Sequence, residues 1–237
     1  MTEAGAIKVF CTTALNKAME ELAPQFERAG GRKLALTFAS AASLAKRVAE
    51  GEDADVAIVS AVAVDDLIKQ GRMAEGSRVD IAKSGMGVAV RAGAPKPDIS
   101  TAEAFKRALM NAKSIAASNP AGGGASGTHF AAVLERLGIA DAVKPKLKYS
   151  GGGLGGLAGT LVTNGEAEIG VQQISELMAA DGIDIAGPLP PELQNTTQFS
   201  AGVPVNAKAP EAGKALIAFL MTPAARTVLK AKGLEPN

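Results

Sequence analysis

The sequence predicts an α/β protein of two lobes, each a mostly parallel sheet covered by helices. Three observations predict it. Short apolar runs alternate with longer stretches of helical spacing. The alternation breaks once, at a long strand with no helix directly behind it, and then resumes. The chain has 237 residues, 47% of them apolar, enough for one large or two small cores. A single doubly wound domain is the alternative that the same pattern admits.

Each element has its own signal. Ile7–Cys11 is a short apolar strand, and Ala14–Arg28 follows with Leu15, Ala18, Met19, Leu22 and Phe26 at helical spacing. Leu34–Phe38 and Asp55–Val59 read as strands, each followed by a helix, Ala42–Glu50 and Val64–Gln70. Strand–helix units in series call for a parallel sheet. Lys83–Arg91 is the long strand that breaks the pattern, and the turn segment Ala94–Pro97 follows it. Then come helix Thr101–Met110, strand Ser114–Ala117, helix Ser126–Leu137, strand Lys146–Tyr149, helix Leu154–Asn164, strand Glu168–Val171, helix Ile174–Ala179 and a candidate strand Ile183–Ala186. Gln198–Val205 reads as extended. Two helices close the chain, Pro210–Leu220 and Pro223–Lys230, each with proline in its first turn, where the missing N–H costs nothing. Gly233 suits the cap of the last one. On this reading one lobe holds residues 1–82 and 199–237, the other residues 83–198, and two segments cross between them.

Composition removes several functions. Lys+Arg is 25 against Asp+Glu 24, so no basic excess exists to meet nucleic-acid phosphates. Aromatics are 3% with no tryptophan, which argues against base stacking. No apolar run reaches the roughly 18–20 residues of a membrane span. One cysteine, Cys11, excludes an internal disulfide, and one cysteine with one histidine excludes a His/Cys metal cluster within a chain. No cofactor or metal is expected, no membrane insertion, and a monomer. The start, MTEAGAIKVF, carries no charged-then-apolar leader, which leaves open a removed signal or a cytoplasmic protein.

Two glycine clusters stand out. Gly122, Gly124 and Gly127 match G-x-G-x-x-G, and so do Gly151, Gly153 and Gly156. A dinucleotide fingerprint also needs an acidic residue about 20 positions on, to hold a ribose hydroxyl. The segments that follow, KLKYS (Lys146–Ser150) and GVQQIS (Gly170–Ser175), have none. The phosphate-loop pattern fails as well, because Thr128–His129 stands where Lys-Ser/Thr belongs. What remains is the bare end of a helix. Its first N–H groups lack helical partners and its dipole favours negative charge, while glycine lets a ligand reach the backbone. The openings at Thr12–Ala14 and Ser40–Ala41 share the absence of carboxylates. Ordinary capping by serine and threonine is the competing account of each opening. Taken together, Thr12, Thr13, Ser40, Gly124, Ser126, Gly127, Thr128 and Gly155 are candidate ligand contacts for a small anion.

Four stretches then carry a resemblance: VFCTTALNKAMEELAPQFE, LTFASAASLAKRVAEGEDADVAIVSA, SNPAGGGASGTHFAAVLERLG and LVTNGEAEIGVQQISEL. Together they resemble the periplasmic molybdate-binding proteins of ABC transporters, and the likeness runs on to TPAARTVLKAKGLEP. The resemblance implies a type II solute-binding fold, with two α/β lobes, a two-strand hinge and a ligand in the cleft. It also implies a periplasmic location and an ABC-transporter permease as partner. By the same resemblance, Ala14 and Ala41 stand where the family has ligand serines, with Thr12, Thr13 and Ser40 beside them. Ser126 matches the main-chain donor, and Gln173, beside Gln172, replaces the family's tyrosine. Losing or moving two hydroxyls and the tyrosine fits a larger anion than molybdate, such as a small organic acid.

The scaffold is also similar to that of trans-aconitate isomerase, which moves a proton on a tricarboxylate. An isomerase needs an acid/base, and His129 is the one side chain with an ordinary pKa near neutrality. In a first helical turn its neutral form would be favoured. Cys11, beside a helix start, is a second candidate. Their bland readings are a hydrogen-bonded histidine and an inert buried thiol. The run Glu50–Asp55 is expected as a solvated loop, Lys144–Lys148 as surface, and Met19, Met178 and Met221 as core.

Overall fold

The computed structural model describes residues 5–122, 124–151 and 157–237. In chain order these form β1 (Ile7–Thr12), a single 3-10 turn (Thr13–Leu15), α1 (Asn16–Arg28), β2 (Leu34–Ala39), α2 (Ala41–Ala49), β3 (Val56–Ser60), α3 (Ala61–Lys69) and β4 (Val79–Arg91). Next are α4 (Ala102–Asn111), β5 (Ile115–Ser118), α5 (Ala125–Arg136), α6 (Ala140–Val143), β6 (Leu147–Ser150), α7 (Ala158–Thr163), β7 (Ile169–Gln173), α8 (Ile174–Leu177) and β8 (Ile183–Pro188). The chain closes with β9 (Thr196–Gly202), α9 (Pro210–Leu220), α10 (Pro223–Ala231) and the two-residue β10 (Glu235–Pro236).

The differences from the sequence reading have local causes. The first helix was expected from Ala14, but Thr13–Leu15 wind as a 3-10 turn and the α-helix starts at Asn16. The third was expected from Val64 and starts at Ala61, because the Ser60 hydroxyl accepts from the Ala63 N–H and so caps it. The short α6 was not read at all; four residues give no period to detect. The start expected at Leu154 for the helix preceding β7 lies outside the described residues.

The backbone divides into two compact units, Met1–Lys83 with Thr197–Asn237, and Ser84–Thr196. Strands β4 and β9 carry the chain across that division. In the first unit β1 lies between β2 and β3, all parallel, and β9 joins β3 antiparallel. A central parallel strand is covered on both faces, which is why β1 is buried at every residue but Lys8. One face of the sheet packs Leu15 of the 3-10 turn together with Met19, Leu22, Leu216, Leu220 and Leu229 from α1, α9 and α10. The other packs Phe10 and Val59 against Leu44, Val48, Val64 and Leu67 from α2 and α3. Each such leucine or valine contributes about 1.5–3 kcal/mol by leaving water.

Asp55 corrects the expectation of a solvated acidic loop. It is buried, and its carboxylate accepts from the backbone N–H groups of Lys8 (2.8 Å), Lys208 (2.9 Å) and Ala209 (2.8 Å). One side chain thereby ties β1 to the residues that open α9. Met178 is a second correction: it is exposed, whereas Met19 is core and Met221 packs at the core's margin.

In the second unit the strand order is β4-β7-β5-β6, with β8 also on β4. Strand β7 runs antiparallel to β4 and parallel to β5, and β5 runs parallel to β6. Phe105, Leu109, Phe130, Val133 and Leu134 of α4 and α5 fill one face. Ala158, Val162 and Leu177 fill the other. The carboxyl ends of three parallel strands therefore finish together, with Ser118 of β5 opposite Ser150 of β6.

Candidate functional site

In an open α/β sheet, ligands bind at the carboxyl ends of the parallel strands, where helices begin. In the second unit that edge carries a connected chain of neutral hydrogen-bonding groups. The Gln172 carboxamide oxygen accepts from the Ala158 N–H, the first of α7, at 2.8 Å. This fixes the amide's orientation, so its NH2 must donate to the Ser118 hydroxyl, at 2.9 Å. The Ser126 hydroxyl lies 3.1 Å from the same Ser118 oxygen. Gln172 and Ser126 are both buried. When Ser118 accepts from both neighbours, its own proton is left to donate to a third partner. Ser150, buried one strand over, has its hydroxyl 3.4 Å from the Ala117 carbonyl.

Beside this chain begins α5. Its N-cap is Gly124, which brings no side chain to the first-turn amides, and the first turn holds no acidic residue. Neither conformation nor packing demands glycine there. Its φ is −76°, ordinary for any residue, and a Cβ would meet nothing within 4 Å among the described residues. Gly122 likewise meets nothing within 4 Å among the described residues. A helix end without a side-chain cap suits an anion.

The other predicted residues fall in different places. A Cβ on Gly127 would stand 2.6 Å from the Ser118 carbonyl oxygen, so this glycine lets α5 pack tightly on the end of β5. Thr128 is exposed, and its hydroxyl turns back toward the Gly124 carbonyl, 3.4 Å away. Gln173 lies across from Met86 in the β4–β7 ladder; successive strand residues face opposite ways, so Gln172 alone of the pair joins the Ser118 chain. Gly155 lies outside the described residues.

In the first unit, Thr12 closes β1 and Thr13 opens the 3-10 turn, both buried. The Ala14 methyl sits in the core and Ala41 packs at the core's margin, so each can offer a ligand only backbone. Ser40 caps α2, accepting from the Ser43 N–H at 3.2 Å, which is the capping account of that opening. No acidic residue occupies the first turn of α1, α2 or α3.

Cys11 does not suit catalysis. It is fully buried, and burial pushes its thiol far above the ordinary range, so thiolate does not form near neutrality. His129 sits fifth in α5, past the first turn where the dipole acts most strongly. Its Nε2 lies 2.8 Å from the Leu193 carbonyl oxygen. A carbonyl only accepts, so Nε2 holds the proton and a neutral ring keeps its lone pair at Nδ1.

Sequence reading passed over Ser118 and Ser150. They share a signal that was there to use: each is the polar residue closing an apolar strand.

Residues 7–235 match the family of bacterial extracellular solute-binding proteins. Aconitate isomerase of a Pseudomonas species is 35% identical over 236 residues, covering 97% of this chain and 87% of that protein. The molybdate-binding protein ModA of Escherichia coli K12 is 26% identical over 243 residues, covering 98% of this chain and 90% of that one. The solved structure of the Azotobacter vinelandii periplasmic molybdate-binding protein shares the fold, with a TM-score of 0.79 at 21% identity over 96% of this chain and 98% of that one. With the match running through both α/β units almost from end to end, this chain belongs to the bacterial extracellular solute-binding proteins.

Proposed function

We propose that this chain captures a small organic polycarboxylate, using neutral donors at the carboxyl edge of its strands in place of basic side chains. The single observation that carries this reading is the Gln172–Ser118–Ser126 chain beside the bare end of α5. Its donors are oriented before any ligand arrives. Pre-set dipoles bind an anion without the reorganisation that flexible lysines would require. A polycarboxylate, rather than a tetrahedral oxyanion, fits the loss of hydroxyl and tyrosine at Ala14, Ala41 and Gln173. In the cell the protein would act as a monomer outside the cytoplasmic membrane and present its ligand to an ABC-transporter permease.

The test is thermal stability with trans-aconitate, citrate, malate, sulfate and molybdate. A ligand at 100 times its dissociation constant adds about 2.7 kcal/mol. The expected result is the largest shift with a di- or tricarboxylate, lost in Ser118→Ala and Gln172→Leu. Molybdate or sulfate giving the largest shift overturns the ligand class.

A second reading, isomerisation of an unsaturated polycarboxylate, is favoured by the 35% identity to an aconitate isomerase along 97% of the chain. The chemistry is an allylic shift. A base removes a methylene proton, the double bond moves by one position, and a proton returns to the far carbon. No oxidant or reductant is consumed. His129 could serve through Nδ1, with the Leu193 carbonyl holding the tautomer. Proton NMR of trans-aconitate in deuterated water separates binding from turnover: deuterium entering the acid supports the isomerase, and its absence with saturating ligand rejects it. His129→Gln abolishes exchange if His129 is the base; unchanged exchange removes it from the mechanism.

A further inference from the structure

The second unit carries a cleft at the end of its sheet opposite Ser118 and Gln172. It is lined by the segment Ala94–Asp98, by one face of α4, and by the place where β7 begins beside the end of β4. It encloses about 410 Å³, within the roughly 300–1,000 Å³ typical of small-molecule sites. Ala104, Arg107, Ala108 and Asn111 reach it from α4 with the spacing of a single helix face. Val90 and Ile169, paired across the β4–β7 ladder and both buried, give it an apolar floor. Pro95 and Pro97 each fix φ in the segment that walls it.

Four charged side chains line the cleft, Lys96, Asp98, Arg107 and Glu168, so it is neutral in sum. Their charges are incompletely paired. Asp98 accepts from the N–H (3.0 Å) and hydroxyl (2.7 Å) of Ser100 with one oxygen. Its other oxygen stands 4.0 Å from the Arg107 guanidinium, too far for a hydrogen bond. Glu168 is anchored through Oε2, which accepts from the Lys113 N–H at 2.6 Å, and its Oε1 has no partner among the described residues. Arg107 and Glu168 also stand apart. The helix rises about 1.5 Å per residue, which puts Asn111 about 6 Å beyond Arg107. Glu168 holds the backbone two residues further on.

We propose that this cleft is a second binding site, for a linear ω-amino carboxylate. The carboxylate meets the Arg107 fork, the ammonium meets Oε1 of Glu168, and the methylene chain lies on Val90, Ala108 and Ile169. The site is separate from the strand-end edge and does not depend on the polycarboxylate reading. A guanidinium suits the first contact because its planar donors match a carboxylate. An α-amino acid holds its two charges too close together to reach both partners. A plain carboxylate or a plain amine satisfies one partner and strands the other.

The probes are 6-aminohexanoate, hexanoate, hexylamine and glycine, titrated calorimetrically into the unaltered protein. 6-Aminohexanoate should bind about tenfold or more tightly than each of the others, which all forgo a charge-assisted hydrogen bond. Arg107→Gln and Glu168→Gln should each weaken it by a similar factor. Glu168→Gln keeps an oxygen for the Lys113 N–H, so its melting temperature should stay near the parent's. Ser118→Ala, at the other end of the sheet, should bind 6-aminohexanoate as the parent does. Equal affinity for 6-aminohexanoate, hexanoate and hexylamine overturns the proposal, since the charges then do not choose the ligand. So does an absence of 6-aminohexanoate binding at millimolar concentration. Parent-like binding by both glutamine variants, or loss of binding in Ser118→Ala, places the ligand elsewhere and overturns it as well. The comparison of probes needs no variant, so a substitution that fails to fold leaves the test intact.

Discussion

At the scale of single residues, two glycines three positions apart do opposite work. Gly127 exists for contact: a methyl there would press on the Ser118 carbonyl at 2.6 Å. Gly127→Ala should therefore cost about 1–3 kcal/mol in urea unfolding, as overpacking does. Gly124 has an ordinary φ, and among the described residues nothing lies within 4 Å of where its Cβ would stand. Gly124→Ala should keep or slightly raise stability, by about 0.4–1 kcal/mol from a stiffer unfolded chain, while weakening anion binding. Equal stability losses for the two would contradict this assignment. Cys11 supplies a third check. Its buried thiol should resist an aromatic disulfide reagent in the native protein and react promptly once guanidinium unfolds it. Rapid native labelling would show that burial does not hold the thiol.

At the scale of elements, one carboxylate joins pieces far apart in sequence. Asp55 accepts three backbone N–H groups, from β1 and from the residues that open α9. Asp55→Ala should lower unfolding free energy by about 3 kcal/mol or more, because buried amides lose a charged acceptor. Ser60→Ala, which removes one cap, should lose only about 1 kcal/mol. Comparing the two by denaturant titration tests whether Asp55 is a tie between elements or merely a loop residue. The strand ends teach a related lesson. Alternation of apolar runs made the strands legible, and helix starts were read to within a few residues. The Ser118–Gln172–Ser126 chain was not legible, because its members are eight and 54 positions apart and meet only when β5, β7 and α5 assemble.

For the whole molecule, stability should fall in acid. Ser200 donates to the Asp80 carboxylate and Arg78 pairs with it, so its pKa lies below the ordinary 3.8. The stabilisation is complete above that ordinary value and disappears as pH falls through the lowered one. Arg47 beside Glu52 and the Ser100 groups at Asp98 act in the same direction. Melting temperature should hold from pH 7 to about 5 and drop below pH 4, in the range where carboxylates protonate. Asp80→Asn should melt below the parent at pH 6 and converge with it in strong acid. A constant gap between them at all pH values would mean that Asp80 acts by shape and not by charge.

The sequence by itself determined the α/β class, the parallel character of the strands, the break in pattern at the long fourth strand, and the neutral, acid-free helix openings. Each depends on periodicity or composition within a short window, which local physics sets directly. Only the tertiary structure decided which polar residues are used for what. It sent Cys11 and Ala14 to the core and made Gly127 a packing contact and Asp55 a tie. Burial and hydrogen-bond pairing depend on neighbours brought from distant parts of the chain, and no local window contains them.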